Sequence, residues 1–175
     1  MTAWKAEIEP ANCTVARTLG LVGDRWALLV LRDAYNGVRR FDELHAHLGI
    51  APTVLTRRLD TLVDAGLMER VPYREAGQRT RHEYRLTPMA WDLHPAVLAL
   101  MAFGDKHLAD PEGPPIRLTH SGCGAEVGVR VACGEGHDVA PRDITVGPGP
   151  SARRRGQGSG QGRGRRGDQR RKVTT

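Results

Sequence analysis

Cysteines and aromatic residues are few in this chain, and long apolar runs are missing; each shortage removes a class of protein. Cys13, Cys123 and Cys133 are its three cysteines. They are too few and too scattered for the evenly numbered, closely spaced set of a secreted disulfide scaffold, so a reducing cytoplasmic setting is expected. No apolar run approaches the roughly 20 residues of a membrane helix, and the opening MTAWKAEIEP lacks the apolar stretch of a signal peptide. No membrane partner is expected. No glycine-rich phosphate loop and no carboxylate pair stands out, and Ser121 beside His120 is a Gly-flanked loop pair without a positioned third group. The expectation is therefore a protein that is not an enzyme. With two Phe, three Tyr and three Trp, the chain also lacks the aromatic platforms of sequence-specific RNA modules.

What is present begins with charge. The net charge is +6, yet residues 151 to 175 hold nine Lys or Arg against Asp168 alone, a net +8, so the first 150 residues carry −2. A polyanion partner is suggested, but for the folded part the case rests on where its arginines sit. At 175 residues there is room for one ordinary domain of about 100 to 150 residues plus appendages.

Val15, Leu19 and Val22 recur at helical spacing, and Asp24 is placed to cap a second helix, RWALLVLRDAY, that stops at Asn36-Gly37. That helix is apolar most of the way round and should be the buried centre. A third helix carries Phe41, Leu44 and Leu48 on one face and breaks at Gly49. Only Gly49, Ile50 and Ala51 separate it from a fourth helix opening at Pro52, which is the layout of a helix-turn-helix. After Gly66 the period changes to two: LMERVPY and RHEYRLT alternate around the turn REAGQRT, as in a hairpin, with Pro72 on an open edge. Thr87-Pro88 then caps and opens a long helix to about His107, with Pro95 inside it as an expected kink. The fold class is mainly α with a small β-hairpin, a winged helix-turn-helix.

On the Pro52 helix, Leu55, Leu59 and Leu62 define an inner face. At about 100° per residue, Thr53 and Arg57 lie opposite it, Thr56 to one side and Arg58 on the flank. Such an outer front suits the major groove of DNA, where arginine bonds guanine edges and threonine meets phosphate or a thymine methyl. Arg74, Arg79 and Arg81 of the hairpin are placed to meet phosphates or the minor groove, and Arg40 joins them as a DNA-facing candidate. The plainer reading is a solvated surface helix, which Asp60 and Asp64 on the same outer side favour. The ordered set of helix, turn, arginine-fronted helix and arginine-tipped hairpin outweighs it.

The run from CTVARTLGLVGDRW through RFDELHAHLGIAPTVLTRRLDTLVDAGLMERVPY to HEYRLT resembles the HxlR-type winged helix-turn-helix regulators of bacteria, from about Cys13 to His107. Gly23-Asp24-Arg25-Trp26, Phe41-Asp42-Glu43-Leu44 and Glu83-Tyr84-Arg85-Leu86-Thr87 carry the likeness. It implies a homodimer on a palindromic operator, the Pro52 helix as recognition helix and the hairpin as wing. The sequence departs from that pattern at Ala51, where a Ser or Thr cap is usual, and at Phe103, where tryptophan is common. The resemblance also places Cys13 where some members carry a thiol switch, since the positive end of a helix favours thiolate; the alternative is a small buried apolar residue.

Three further expectations concern the long helix and the C-terminal third. Ala90, Leu93, Val97, Leu100 and Gly104 recur at steps of three and four, a seam for a partner helix or for the chain's own domain. His120, Cys123, Cys133 and His137 form an H-x2-C and a C-x3-H pair around the alternating EVGVRVA, a candidate zinc set at the ends of a small hairpin, with a metal-free hairpin as the alternative. GPGPSARRRGQGSGQGRGRRGDQRRK has too little apolar surface to order itself and reads as a disordered basic tail attracting phosphate without reading sequence. The segments expected are an N-terminal arm (1–12), the winged domain with its dimerisation helix (13–108), a small β extension (109–146) and the Gly/Arg-rich tail (147–175). The competing function is RNA or nonspecific nucleic-acid binding through that tail.

Overall fold

The structure is a computed structural model that describes residues 10–74, 77 and 79–152. The basic run from Arg153 onward lies outside the described residues, as do residues 75, 76 and 78 in the hairpin turn. The chain divides into two units, Val15–Ile144 and the two terminal stretches Met1–Thr14 and Thr145–Thr175. Of the terminal unit, the described part holds a single 3-10 turn at Pro10–Asn12 and a turn closing at Ala152.

Helix α1 (Thr14–Val22) has only Val22 in the core; Val15 and Leu19 are 65 % and 56 % exposed. Helix α2 (Arg25–Tyr35) starts where Asp24 accepts the Trp26 amide at 3.0 Å, and Ala27, Val30, Leu31 and Ala34 make it the centre of the core. It also buries Asp33, whose Oδ1 accepts Arg32 Nε and Nη2 at 2.8 and 2.7 Å while His47 stands 3.7 Å from Oδ2. Helix α3 (Phe41–Leu48) ends on Gly49, whose φ of 61° needs a residue without a Cβ. Helix α4 (Pro52–Asp64) follows after Ile50 and Ala51. Ala51 supplies no side-chain cap, but Pro52 at the first position has no N–H to satisfy, and the Val54 and Leu55 amides reach the Ala51 carbonyl.

Strands β1 (Met68–Tyr73) and β2 (Arg81–Leu86) pair antiparallel, Met68 opposite Leu86 and Tyr73 opposite Arg81. The outer edge of β2 is met by the Arg40–Glu83 bridge and by the Tyr84 amide donating to the Arg39 carbonyl at 2.8 Å. That leaves Pro72 on the strand with the open edge, as its missing N–H requires. Helix α5 (Pro88–His107) is capped by Thr87, whose hydroxyl oxygen accepts the Ala90 amide, and it continues past Pro95. Ala90 is fully buried, and its carbonyl accepts the Tyr35 hydroxyl, so this end of the expected seam packs on its own domain. Leu100 and Phe103 further along are 57 % and 59 % exposed. No described helix is long and apolar enough to cross a membrane.

Past α5 the chain makes isolated bridges, Thr119 with Glu126 and Ala132 with Asp138, where the alternation of EVGVRVA predicts a strand in one hairpin. Alternation without partners on both sides does not fix a ladder, and Val127, Val129 and Val131 stay exposed.

Candidate nucleic-acid interface

The inner face of α4 is the firmest feature, with Leu55, Leu59 and Leu62 all at 0 % exposure. Burying three leucines contributes on the order of 2 kcal/mol each, which fixes the rotation of the helix and sends Thr53, Thr56 and Arg57 outward, all exposed. Thr56 donates its hydroxyl to the Pro52 carbonyl at 2.9 Å. What it presents to a ligand is its methyl and the oxygen lone pairs.

Arg58 goes elsewhere. Its Nε lies 2.8 Å from Asp24 Oδ1, and its side chain is 27 % exposed. The contact is an ion pair rather than an aligned hydrogen bond. It ties α4 to the start of α2, so Arg58 is not one of the residues the structure leaves facing outward.

Arg74, Arg79 and Arg81 are exposed on the hairpin. Arg40 is half-buried, with its guanidinium 4.8 Å from the centre of the Tyr73 ring, which holds it beside β1. Between α4 and the hairpin runs an open groove of about 570 Å³ lined by Thr56, Arg70, Tyr73, Arg81, His82 and Tyr84 along with Phe41 and Asp42. Arg70 and His82 are additions that sequence reasoning missed. Arg70 Nη2 donates to the Tyr84 hydroxyl at 3.2 Å, because strand pairing sets Arg70 opposite Tyr84. That bond supports the charged guanidinium and raises the Arg70 pKa above its ordinary value. The strand alternation was visible in sequence, but the register that brings these two together was not.

A second hollow of about 470 Å³ follows the outer side of α4 from Thr53, Thr56 and Arg57 to Asp60, Thr61 and Asp64. Arg70 stands 3.9 Å from Asp60, an exposed pair that offsets its repulsion of phosphate only in part. Thr53, Thr56 and Arg57 lie at the N-terminal half of the helix, and the carboxylates with Thr61 at the far half.

Of the other candidates, Cys13 is exposed immediately before α1, so it is not a buried apolar residue of this chain. His120 Nδ1 lies 3.2 Å from Cys123 Sγ, and Cys133 Sγ 3.6 Å from His137 Nδ1. The two pairs do not meet: among the described residues no group of three or more His, Cys, Asp or Glu is placed to hold a metal ion. The Glu135 amide, then that of His137, holds the Cys133 thiol below its ordinary pKa.

A helix seated across a three-residue turn, with its cationic end outward beside a hairpin, defines the class of winged helix-turn-helix transcriptional regulators. Residues 21–112 match the HxlR-like helix-turn-helix family, and the chain belongs to it. Over 137 residues it is 47 % identical to an uncharacterized HTH-type transcriptional regulator of Mycobacterium tuberculosis, covering 78 % of this chain and 85 % of that one. The crystal structure of PA1607 is similar at a TM-score of 0.70 and 37 % identity, over 79 % of this chain and 96 % of that one. The redox regulator HypR in its oxidized form is similar at a TM-score of 0.51 and 27 % identity, over 56 % of this chain and 100 % of that one.

Proposed function

We propose that this transcriptional regulator binds a palindromic operator as a homodimer, laying the front of α4 in the major groove and the hairpin arginines against the backbone. The outward face of α4 carries the reading: Thr53, Thr56 and Arg57 stand exposed on a helix whose rotation three fully buried leucines fix. Groups of this kind read base edges and phosphates, while Asp60 and Asp64 at the far half require that end to point away from the duplex.

The homodimer is supported by what the single chain leaves in water. Val15 and Leu19 on α1, and Leu100 and Phe103 on α5, are each more than half exposed, and apolar surface of this kind on two helices suits a two-fold partner. A thiol response is supported by the exposure of Cys13 at the start of α1 and by the likeness to a redox regulator. Footprinting the DNA upstream of the protein's own gene tests the reading, with parent and Arg57→Ala in parallel, reduced and oxidised. Protection in two patches related by a dyad, lost in the variant, is expected. Equal protection by both proteins would show that α4 is not the reading element.

A further inference from the structure

Each histidine–cysteine pair of the C-terminal third has the form of half a metal site. In the first, His120 Nδ1 and Cys123 Sγ are 3.2 Å apart on a turn closed by the Cys123 and Gly124 amides donating to the His120 carbonyl. In the second, Cys133 Sγ and His137 Nδ1 are 3.6 Å apart on a turn where the Gly136 amide donates to the Cys133 carbonyl and the Cys133 amide to that of His137. Two ligands of a tetrahedral zinc, with Zn–S of about 2.3 Å and Zn–N of about 2.0 Å, stand about 3.5 Å apart. Both pairs sit near that separation, and all four residues are exposed. Gly122 leaves room for the first turn: a Cβ there would lie 2.9 Å from His120 Cε1 and would press on the ring.

Among the described residues of one chain the halves do not come together. The run Glu126–Ala132 bridges to Thr119 at one end and to Asp138 at the other, so it is shared by two successive hairpins. Their turns lie at its opposite ends, up to roughly 20 Å apart at about 3.3 Å per residue. The run is too short to double back and still pair at both ends. The extension packs beside the last turns of α5, where Met101 and Asp105 share a small cavity with Ile116, Leu118 and Val127. This is the helix that exposes Leu100 and Phe103.

We propose that zinc is held between two copies of the chain, by His120 and Cys123 of one copy and Cys133 and His137 of the partner subunit, giving two equivalent sites per dimer. Each site takes two thiolates and two neutral imidazoles, and the two thiols release their protons as the metal binds. Such a clamp makes the position of the two reading helices depend on metal supply. The inference rests on the homodimer proposed above.

The test uses the full chain stripped by a chelator and titrated with cobalt(II) or zinc(II) alone. One metal per chain is expected, with a thiolate-to-cobalt charge-transfer band and the intense visible bands of tetrahedral cobalt. Cys123→Ser and Cys133→Ser should each lose that binding while keeping the parent's circular dichroism. The decisive species is the heterodimer of the two variants, purified through different tags, because it contains one intact site made of the unmutated halves. It should bind one metal per dimer, half the parent's content. No stoichiometric metal on the parent, no recovery in the heterodimer, or half the metal kept by either variant alone would each overturn the inference. Mass measured on the parent with zinc supplied separates the two readings: a monomer removes the homodimer and the shared site together, whereas a dimer that takes up no metal removes the site alone.

Discussion

Arg57 and Arg58 are neighbours with opposite fates, and the difference is one step of helix rotation. Arg57 points away from the buried leucines, whereas Arg58 lies on the flank within 2.8 Å of Asp24. Arg57→Ala is therefore expected to weaken operator binding by about 1 to 3 kcal/mol with little change in stability. Arg58→Ala should lower stability by up to about 1 kcal/mol, since the pair is partly exposed, and should spare base discrimination. Gel-shift titration and urea denaturation of both variants check this, and a reversal of the two effects would refute the assignment. Tyr35 makes a second residue-scale case. Burial pushes its phenol pKa above the ordinary 10.0, so the fold favours the neutral form. The stability this gives is present below about pH 10 and is lost as pH rises through the raised folded value. Tyr35→Phe should lose about 1 kcal/mol near neutrality, through the hydrogen bond to Ala90, and should show a shallower fall in stability between pH 9 and 11 than the parent. Equal slopes would mean that Tyr35 does not contribute this pH dependence. In sequence, the angle of Arg57 could be read because one helix and its leucines determine it. The partner of Arg58 and the Arg70–Tyr84 bond could not, because both depend on how separate elements dock.

Helices with strong punctuation were the elements most open to reading. Asp24, Gly49 and Thr87-Pro88 end or begin helices through local hydrogen bonds and backbone angles, which neighbouring residues alone decide. The extension was harder, because EVGVRVA alternates as a strand would, yet only single bridged pairs form at its two ends. On α5 the spacing is helical throughout, but only contact with Tyr35 and the core shows that Ala90 faces inward. Two outcomes follow at this scale. Ala51→Ser supplies the missing cap at the front of α4 and should stabilise the fold by about 1 kcal/mol, measured by urea denaturation; no gain would mean that Pro52 already removes the need. Leu100→Asp leaves the core intact, since Leu100 is 57 % exposed, but puts a charge into the proposed two-fold contact. Light scattering should find a monomer that has lost operator binding, and an unchanged dimer would place the contact elsewhere.

For the whole molecule, charge and reading are divided along the chain. Residues 151 to 175 carry a net +8, more than the total of +6, while the groups suited to base edges lie on α4. Deleting that stretch should lower affinity for all DNA alike and flatten its dependence on salt, leaving the preference for operator over random duplex nearly unchanged. Loss of that preference on truncation would assign reading to the tail. Reading of a two-fold site by two copies of α4 is tested most directly by selecting bound sequences from a random duplex pool with the purified full-length protein. An enriched palindrome is expected, with half-sites centred about one helical turn, roughly 10 base pairs, apart, and no such enrichment with Arg57→Ala. A pool that stays random, or a single half-site without a repeat, would contradict it.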